Sequence, residues 1–412
     1  MADTVVKIAF DLSAAGRGDF FTLDDPTKGA LDNSSFKLAG DVLTDVSDDL
    51  REVRVRRGRS TILDKFEAGY AQATLDNRLR YYDPTAGTAV SPYAPSIKPR
   101  KQFLVEMNGQ AVFNGQVEDW DLSYDITGDS VAFAKASDGF SLLAQQAITP
   151  HTATAQATGA RVSAILDRTE IAWPAGRRNI DAGQATLMAD AIGGTSDPTP
   201  VNALAYLQQV EQAEPGALFI AKNGSLTFRQ RTDLQQVTNV EFSDDGTGIP
   251  FTNIAVEFGT EQLRNSVSVA RLNAGTATAD DLTSQAAYGI TAYRISDSLL
   301  STDAQAQDLA DWLVNLYGEP QLRIQSVSLV MQGLTVQQQN EVLGLELGDV
   351  VRVVFTPNGI GDAIDRFVAI DAIEHVVTPN VHTVQLDLSQ TIGAFILDSA
   401  TFGVLDSNVL GF

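Results

Sequence analysis

The sequence predicts a mainly β, multi-domain protein with a few helices, an α+β fold. Apolar and polar residues alternate in many short segments; within 51–58, Val53 and Val55 alternate with arginines, as in a strand with one buried face. An Asn-Gly pair at 108–109 separates two such segments and favours a hairpin, since a type I′ turn needs positive φ at both central residues. Apolar residues at helical spacing are confined to a middle region and one later stretch.

The chain length sets the number of domains. At 412 residues, two to four domains are expected. We predict an N-terminal β-domain over 1–148, a middle α+β domain over 149–238, a C-terminal β-domain with one helix over 239–394, and a final segment over 395–412. The β-domains near both ends are expected to be small antiparallel barrels or sandwiches.

A long connection at 82–99 carries four prolines and lies between strands of the first domain. Proline fixes φ and lacks an N–H donor, so the connection is expected to be a stiff, ordered surface arm that contacts another molecule. The predicted strands of this domain are 4–10, 51–58, 71–75, 102–107, 110–120, 121–126 and 130–136.

Two helices and a hairpin are predicted in the middle domain. Thr199 and Pro200 resemble an N-cap and a first-turn proline for a helix that ends near Ala213.

In the predicted C-terminal domain, Thr302 caps a helix that Gly318 ends. The remaining predictions are a helix at 158–169, a hairpin around 222–224, and strands at 253–258, 266–272, 288–295, 322–331, 348–355, 367–377 and 382–388.

Composition excludes several classes of function. The formal net charge is -23, which argues against a surface that binds nucleic acid tightly by releasing counterions from phosphates. The chain has no cysteine, so it forms neither disulfides nor thiolate metal sites. The first twenty residues are too charged for a signal peptide or a membrane segment, and we expect the protein to be made in a cytoplasm.

Residues that carry chemistry are few. His375 and His382 flank a turn and could face each other across a hairpin, but no third ligand stands in register, and we predict no metal site. There is no G-x-S-x-G motif or serine triad, and Glu118 with Asp119 resembles a strand end more than an acid and base pair. The sequence therefore predicts no catalytic residues, no cofactor and no enzyme activity.

Two stretches resemble one protein family. The order RRGRS, LDKFEAGYAQATLDN, YYDP and SPYAPSIKP resembles the first domain of the minor tail proteins of long-tailed bacteriophages, which are similar to the tail hub at the tip of the tail tube. The stretch NALAYLQQVEQAEPGALFIAKNGSLTFRQR is similar to the middle domain of the same family.

The resemblance implies a structural protein at the tail tip of a virion, assembled in the host cytoplasm. It implies a homotrimer in which two related β-domains alternate, so that a three-fold object presents six similar surfaces. The implied partners are the tail tube or a distal tail protein on one side and other minor tail, fibre or receptor-binding proteins on the other. DNA would pass through such a ring without being bound tightly.

Two alternatives remain open. One is a hexameric distal tail adaptor with one ring-forming β-domain per subunit. The other is a carbohydrate-binding or depolymerising β-protein of a virion, against which three tryptophans and the lack of a carboxylate site count. The mass of the assembled particle separates the hub from the adaptor, and glycan binding would support the last.

Inter-subunit contacts are predicted for seven residues. Arginine binds carboxylates with two hydrogen bonds, and this acidic chain offers many carboxylates to a neighbour, whereas Arg54 and Arg56 are expected on a solvated strand face. The other predicted residues come from the arm and from the apolar C-terminal segment. The seven are Arg51, Arg57, Arg59, Tyr93, Phe402, Leu405 and Phe412.

These assignments lead to three further expectations. The arm and residues 395–412 are expected to be ordered only through contacts with other chains. The inner wall of the ring is expected to carry more Asp and Glu than Lys and Arg, because an acidic wall lets a polyanion slide. Charge reversal of Arg57 and Arg59 is expected to weaken the oligomer with little effect on the fold of one subunit.

Overall fold

The computed structural model describes residues 3–10, 26, 42–60, 64–194, 198–231, 234 and 237–391. Strands predominate in these residues, as the alternating pattern predicts. The first-half strands are β1 Thr4–Phe10, β2 Val42–Asp45, β3 Leu50–Gly58, β4 Glu67–Asp76, β5 Gln102–Met107, β6 Gln110–Ser123, β7 Val131–Ser137, β8 Ala147–Ile148, β9 His151–Ala153, β10 Gln156–Ala157, β11 Arg178–Ile180, β12 Thr186–Leu187, β13 Asp190–Ile192 and β14 Val201–Asn202.

The second half continues the same pattern with longer strands. Its strands are β15 Ala217–Ile220, β16 Leu226–Arg229, β17 Val237–Ser243, β18 Asn253–Phe258, β19 Ser266–Arg271, β20 Thr276–Asp280, β21 Ala292–Ser298, β22 Leu322–Val330, β23 Val350–Phe355, β24 Ile364–Val377 and β25 His382–Gln390. The helices are α1 Gly139–Leu143, α2 Thr158–Leu166, α3 Ala203–Ala213, α4 Leu282–Tyr288, α5 Asp303–Tyr317 and α6 Val336–Gly344.

One large sheet joins the two ends of the chain. Its strand order is β18-β22-β25-β24-β3-β4-β7-β6-β5-β1-β2, with β23 paired to β24 and β17 paired to β23. The N-terminal and C-terminal strands meet where residues 372–377 of β24 pair antiparallel with residues 53–58 of β3. No closed barrel is found among the described strands, so the barrel form expected near each end is not observed, whereas the predicted domain boundaries stay a prediction.

A glycine permits the close approach of β3 and β24. Gly58 has φ 123, and a Cβ built on it would lie 2.1 Å from the carbonyl oxygen of Asp371 and 2.7 Å from the Cβ of Ala372. A side chain at this position would clash with the backbone of β24 and would also strain its own. Gly58 ends β3, as the sequence predicts, at the residue where the two strand groups come together.

Helix α3 begins later than the sequence predicts. The predicted cap at Thr199 and Pro200 precedes β14, which pairs with β8. The cap is Asn202, whose side chain accepts a hydrogen bond from the amide of Ala205. Asparagine satisfies a free N–H of the first turn as well as threonine does, and pairing with β8 keeps the residues before it extended.

The C-terminal part of the chain, 239–394, contains more helix than predicted. The strand expected at 288–295 begins only at Ala292, because α4 occupies the preceding residues and ends at Gly289 with φ 81. Helix α6 has a polar sequence and is not among the predicted helices, although Thr335 and Gln338 form a capping box at its start. Helix α5 begins after Thr302 and ends at Gly318, as predicted. None of the described helices is long and apolar enough to cross a membrane.

Candidate functional site

Strand β3 distributes its arginines over two faces of the sheet. Val53 and Val55 are fully buried, and Arg57 continues that inward row with 4% of its surface exposed. On the opposite face, Arg54 pairs with Glu52, and Arg56 contacts carboxylates of β24 and β25, Glu374 and Asp387. The solvated face expected for Arg54 and Arg56 is confirmed.

Arg57 forms a buried ion pair with Glu346. The guanidinium Nη1 lies 2.6 Å from the Oε1 atom of Glu346, whose other oxygen accepts from the amide of Lys222 at 2.9 Å. Burial raises the pKa of Glu346, but the charge of Arg57 and the amides of Lys222 and Leu347 outweigh burial and hold the pKa below its usual value. The pair therefore ties β3 to the β15–β16 hairpin and to the loop before β23.

Arg59 is also bonded within the chain. Its Nε donates to the Oδ1 of Asp371 at 2.9 Å, and its guanidinium carbon lies 4.5 Å from the centre of the Phe66 ring. Burial raises the pKa of Asp371 despite the opposing charge of Arg59. The side chains of both partners are mostly buried, at 12% and 4% exposure.

These contacts revise what the sequence predicts for Arg57 and Arg59. Contact with a neighbouring subunit stays a prediction for both, but their guanidinium groups already bind carboxylates of their own chain. The buried pair argues against the expectation that charge reversal at Arg57 leaves one subunit intact, because reversal would place two buried carboxylates side by side. The signal was present in the sequence, since Arg57 stands two residues after Val55 and so lies on its buried face.

Arg51 lies at one end of the sheet, in a network of ion pairs. Its Nη2 lies 2.6 Å from Asp129 and 3.3 Å from Asp76, which also binds Arg78. The hydrogen bond from Arg78, with help from Arg51, lowers the pKa of Asp76 to about 2. The network holds two turns together and leaves Ile126 at its tip fully exposed. A third of the Arg51 side chain remains exposed, and its predicted contact with a neighbour stays a prediction.

The proline-containing arm packs on its own domain. The Tyr93 ring stacks on Phe10 with centroids 4.3 Å apart and on Tyr82 at 5.3 Å. Tyr82 is fully buried, stacks on Trp120 at 6.1 Å and donates its hydroxyl hydrogen to Asp49 at 2.7 Å. The expectation that the arm is ordered only through other chains is wrong, because a buried aromatic cluster fixes it within one subunit.

The outward face of the large sheet is polar and spans both strand groups. Directly paired residues share a face, so Arg54 stands in one row with Gln72, Lys135 and Asp119. Around the junction of β3 with β24 and on the neighbouring parts of β6 and β7, acidic groups outnumber basic ones. The acidic side chains are Glu52, Asp119, Asp121, Glu374 and Asp387, and the basic ones are Arg54, Arg56 and Lys135.

The two histidines face each other, as the sequence suggested. His375 Nδ1 lies 3.2 Å from His382 Nε2, and both rings are buried. Burial lowers the pKa of His382 to about 4. Burial, followed by the nearby charges of His382, Arg57 and Lys222, lowers the pKa of His375 well below its usual value. Both rings are therefore neutral at pH 7.

This pair predicts a loss of stability in acid. An unfolded histidine titrates near 6.5, so between pH 6.5 and 4 the unfolded chain binds more protons, and stability falls as pH falls. A pKa lowered from 6.5 to about 4 corresponds to about 3 kcal/mol for His382 by pH 4. The variant His375→Gln/His382→Gln should lose less stability over this window, measured by urea unfolding at pH 7.5, 6, 5 and 4.

Carboxyl groups also titrate between pH 7.5 and 4. The test is therefore the difference in pH dependence of stability between wild type and variant. Asp138 and Glu211 have pKa values of about 7 through burial, and they oppose the histidine effect equally in wild type and variant. His151→Gln, outside the pair, is the control and should follow wild type. Equal pH dependence in all three proteins would show that the pair does not titrate on unfolding.

The buried carboxyl groups have structural partners. Asp138 accepts from the amides of Gly69 and Phe140 and caps α1. Glu211 accepts from the amide of Leu218. Within the described ranges, no group of three or more His, Asp or Glu side chains could hold a metal ion. Phe402, Leu405 and Phe412 lie outside the described residues, and their predicted contacts stay predictions.

Comparison with known proteins bears on the fold. No protein-family model and no curated protein matches the sequence. The 43 kDa tail protein of prophage MuSo2 from Shewanella oneidensis matches with a TM-score of 0.56 and 12% identity, covering 95% of this chain and 97% of that one. This chain has the fold of a prophage tail protein. A tail protein from Neisseria meningitidis MC58 matches with a TM-score of 0.55 and 12% identity, covering 85% and 94%.

Proposed function

We propose that the chain is a structural tail protein of a phage that forms the hub at the tail tip. The observation that carries the proposal is the match to the Shewanella oneidensis prophage tail protein over 97% of that protein's length. The likeness extends over 95% of this chain and is not confined to one segment. In this role the protein joins the tail tube or a distal tail protein to other minor tail, fibre or receptor-binding proteins, and it catalyses no reaction.

We propose a homotrimer as the working assembly. A three-fold ring that meets six-fold partners needs each subunit to offer two similar surfaces in a fixed relation. The pairing of β3 with β24 supports this, because it places the N-terminal and C-terminal strand groups in one sheet. The Arg57–Glu346 pair adds a second tie between the same regions. A subunit whose two ends share one sheet suits a ring that must transmit the position of one partner to another.

The mass of the particle tests the assembly against the hexameric adaptor. A trimer has three times and a hexamer six times the chain mass of 44.1 kDa, a difference that light scattering after gel filtration resolves. The trimeric mass supports the hub, and the hexameric mass supports the adaptor. Binding of host-surface glycan by the purified particle would instead support the carbohydrate-binding alternative.

The polar face of the large sheet fits the wall of a DNA channel. Around the β3–β24 junction it carries five carboxylates against three basic groups, and its arginines are neutralised by neighbours such as Glu52 and Glu374. A channel wall that neutralised phosphates would gain affinity with each counterion released and would hold the DNA. We propose that this face lines the channel and that its acidic excess lets duplex DNA slide.

Reversing charge on this face should create DNA binding. In Asp119→Lys/Asp121→Lys, the new lysines join Lys135 and Arg54 in a continuous basic surface, and affinity for a DNA duplex should rise with a steep dependence on salt. Asp308→Lys/Asp311→Lys on α5 makes the same change in net charge at exposed positions and is the control. Fluorescence anisotropy on the purified oligomer, at two salt concentrations, measures both.

Stronger binding by the first variant than by the second supports the channel face. Equal binding by both variants would mean that net charge alone governs the interaction and would remove the argument for this face. Tight DNA binding by the unmodified oligomer at physiological salt would contradict the sliding wall altogether.

A further inference from the structure

An apolar pocket lies between residues of the N-terminal, middle and C-terminal parts of the chain. It has a volume of about 180 Å³. Its walls include Phe66 after β3, Tyr293 on β21, Leu316 and Trp312 on α5, and Thr391 just after β25. A cavity of about 150 Å³ in an apolar interior accommodates a benzene ring, so this pocket has room for one aromatic side chain.

The chain itself brings an apolar segment to this pocket. Thr391 lines the pocket, with its hydroxyl bonded to the carbonyl of Phe367 at 3.0 Å. The sequence continues from there to Phe-Ile-Leu at 395–397. Four extended residues span at most about 14 Å, so Phe395 cannot lie farther than this from the pocket wall.

Charge at the rim of the pocket complements the charge of the last residues of the chain. The charged side chains that line the pocket are Arg59, Lys65, Arg231, Asp64, Glu211 and Asp371. Arg59 pairs with Asp371, whereas among the described residues no carboxylate lies within salt-bridge distance of Lys65 or Arg231. Arg231 instead lies over the Trp312 ring, 5.5 Å from its centroid. The sequence from 392 to 412 contains two aspartates and no basic residue, and the first aspartate is Asp398.

We propose that residues 395–397 dock in the pocket of their own chain, with the Phe395 ring in the cavity and Asp398 beside Lys65 and Arg231. Cavity size, reach and charge each point to this occupant. Docking would hold the start of this segment against the body of its own chain. This inference does not depend on the proposed tail function.

Disulfide trapping tests the docking, because the natural chain has no cysteine to interfere. Leu316→Cys places a thiol in the pocket wall, and it is combined in turn with Ile396→Cys and Leu397→Cys. The matched control is Asn315→Cys, the exposed neighbour of Leu316 on α5, which does not line the pocket. Purified full-length protein is oxidised mildly, and products are separated on non-reducing gels and mapped by mass spectrometry.

We expect an intramolecular disulfide to form at least about tenfold faster with Leu316→Cys than with Asn315→Cys, since docking raises the local thiol concentration. Equal rates, or no product with Leu316→Cys, would overturn the proposal. A product that is only intermolecular would assign the pocket to the segment of a second copy and would also overturn docking within the chain.

A second measurement uses the natural side chains. Phe395→Asp should increase acrylamide quenching of Trp312, because a carboxylate is costly to bury in an apolar pocket. Phe402→Asp lies beyond the docked residues and is the matched control, with quenching expected to follow wild type. Trp120 and Trp173, which lie outside the pocket, supply a constant background. Identical quenching in the two variants would contradict the proposal even if cross-linking proved ambiguous.

Discussion

Replacing Arg57 with alanine is expected to lower the free energy of unfolding by about 3–5 kcal/mol, because it leaves Glu346 buried without its partner. Arg57 is 4% exposed, and the carboxylate it binds also organises the amides of Lys222 and Leu347. Charge reversal, Arg57→Glu, should cost more. Urea unfolding of the isolated protein, followed by circular dichroism, measures the change.

Arg54→Ala is the matched control on the same strand. Its side chain is half exposed and pairs with Glu52 on the solvated face, so the expected loss is less than about 1 kcal/mol. Arg57→Met/Glu346→Gln removes both charges and should recover part of the stability lost in Arg57→Ala. Similar losses for Arg57→Ala and Arg54→Ala would contradict a buried tie between the N-terminal strands and the C-terminal region.

Tyr82→Ala is expected to cost about 3–5 kcal/mol, as for other large aromatic side chains removed from a core. The ring is fully buried between Tyr93 and Trp120. Tyr82→Phe keeps the ring and loses only the hydrogen bond to Asp49, so about 1–3 kcal/mol is expected. Urea unfolding measures both variants on the single subunit.

Hydrogen exchange across the arm gives the complementary result. In Tyr82→Ala, amides of 82–99 should exchange faster, whereas in Tyr82→Phe they should stay close to wild type. If the arm of the unmodified subunit already exchanged as fast as an unstructured peptide, the aromatic cluster would not be what orders it, and contact with other chains would again be the better explanation.

Local patterns predict much of the fold. β1 has the predicted bounds, and the hairpin between β5 and β6 turns at Asn108 and Gly109 with φ of 48 and 74, as a type I′ turn needs. The pairing of β3 with β24 had no such signal. Arg56 and Glu374 are 318 residues apart in sequence. Each strand shows only an alternating pattern, which is compatible with pairing to the edge of many other strands.

In the candidate site, too, the sequence predicts which way side chains face but not which residues they pair with. Alternation along β3 places Arg54 and Arg56 on the solvated face, and its continuation to Arg57 predicts a buried side chain, although the density of arginines suggests a surface cluster. The partners Glu346 and Asp371 come from distant loops and strands, so the sequence alone offers no way to pair them. Helix α6 escapes prediction because its residues are mostly polar and its apolar stripe is weak, with only the capping box to mark it.

We propose that copies of this chain form a ring whose channel is lined by the polar face of the large sheet. Cryo-electron microscopy of the purified oligomer, at a resolution that separates strands, tests it most directly. We predict a three-fold particle in which Asp119, Asp121 and Glu374 face the central channel and the Arg57–Glu346 pair lies inside each subunit. A ring in which this face points outward, with Lys and Arg lining the channel, would contradict the account.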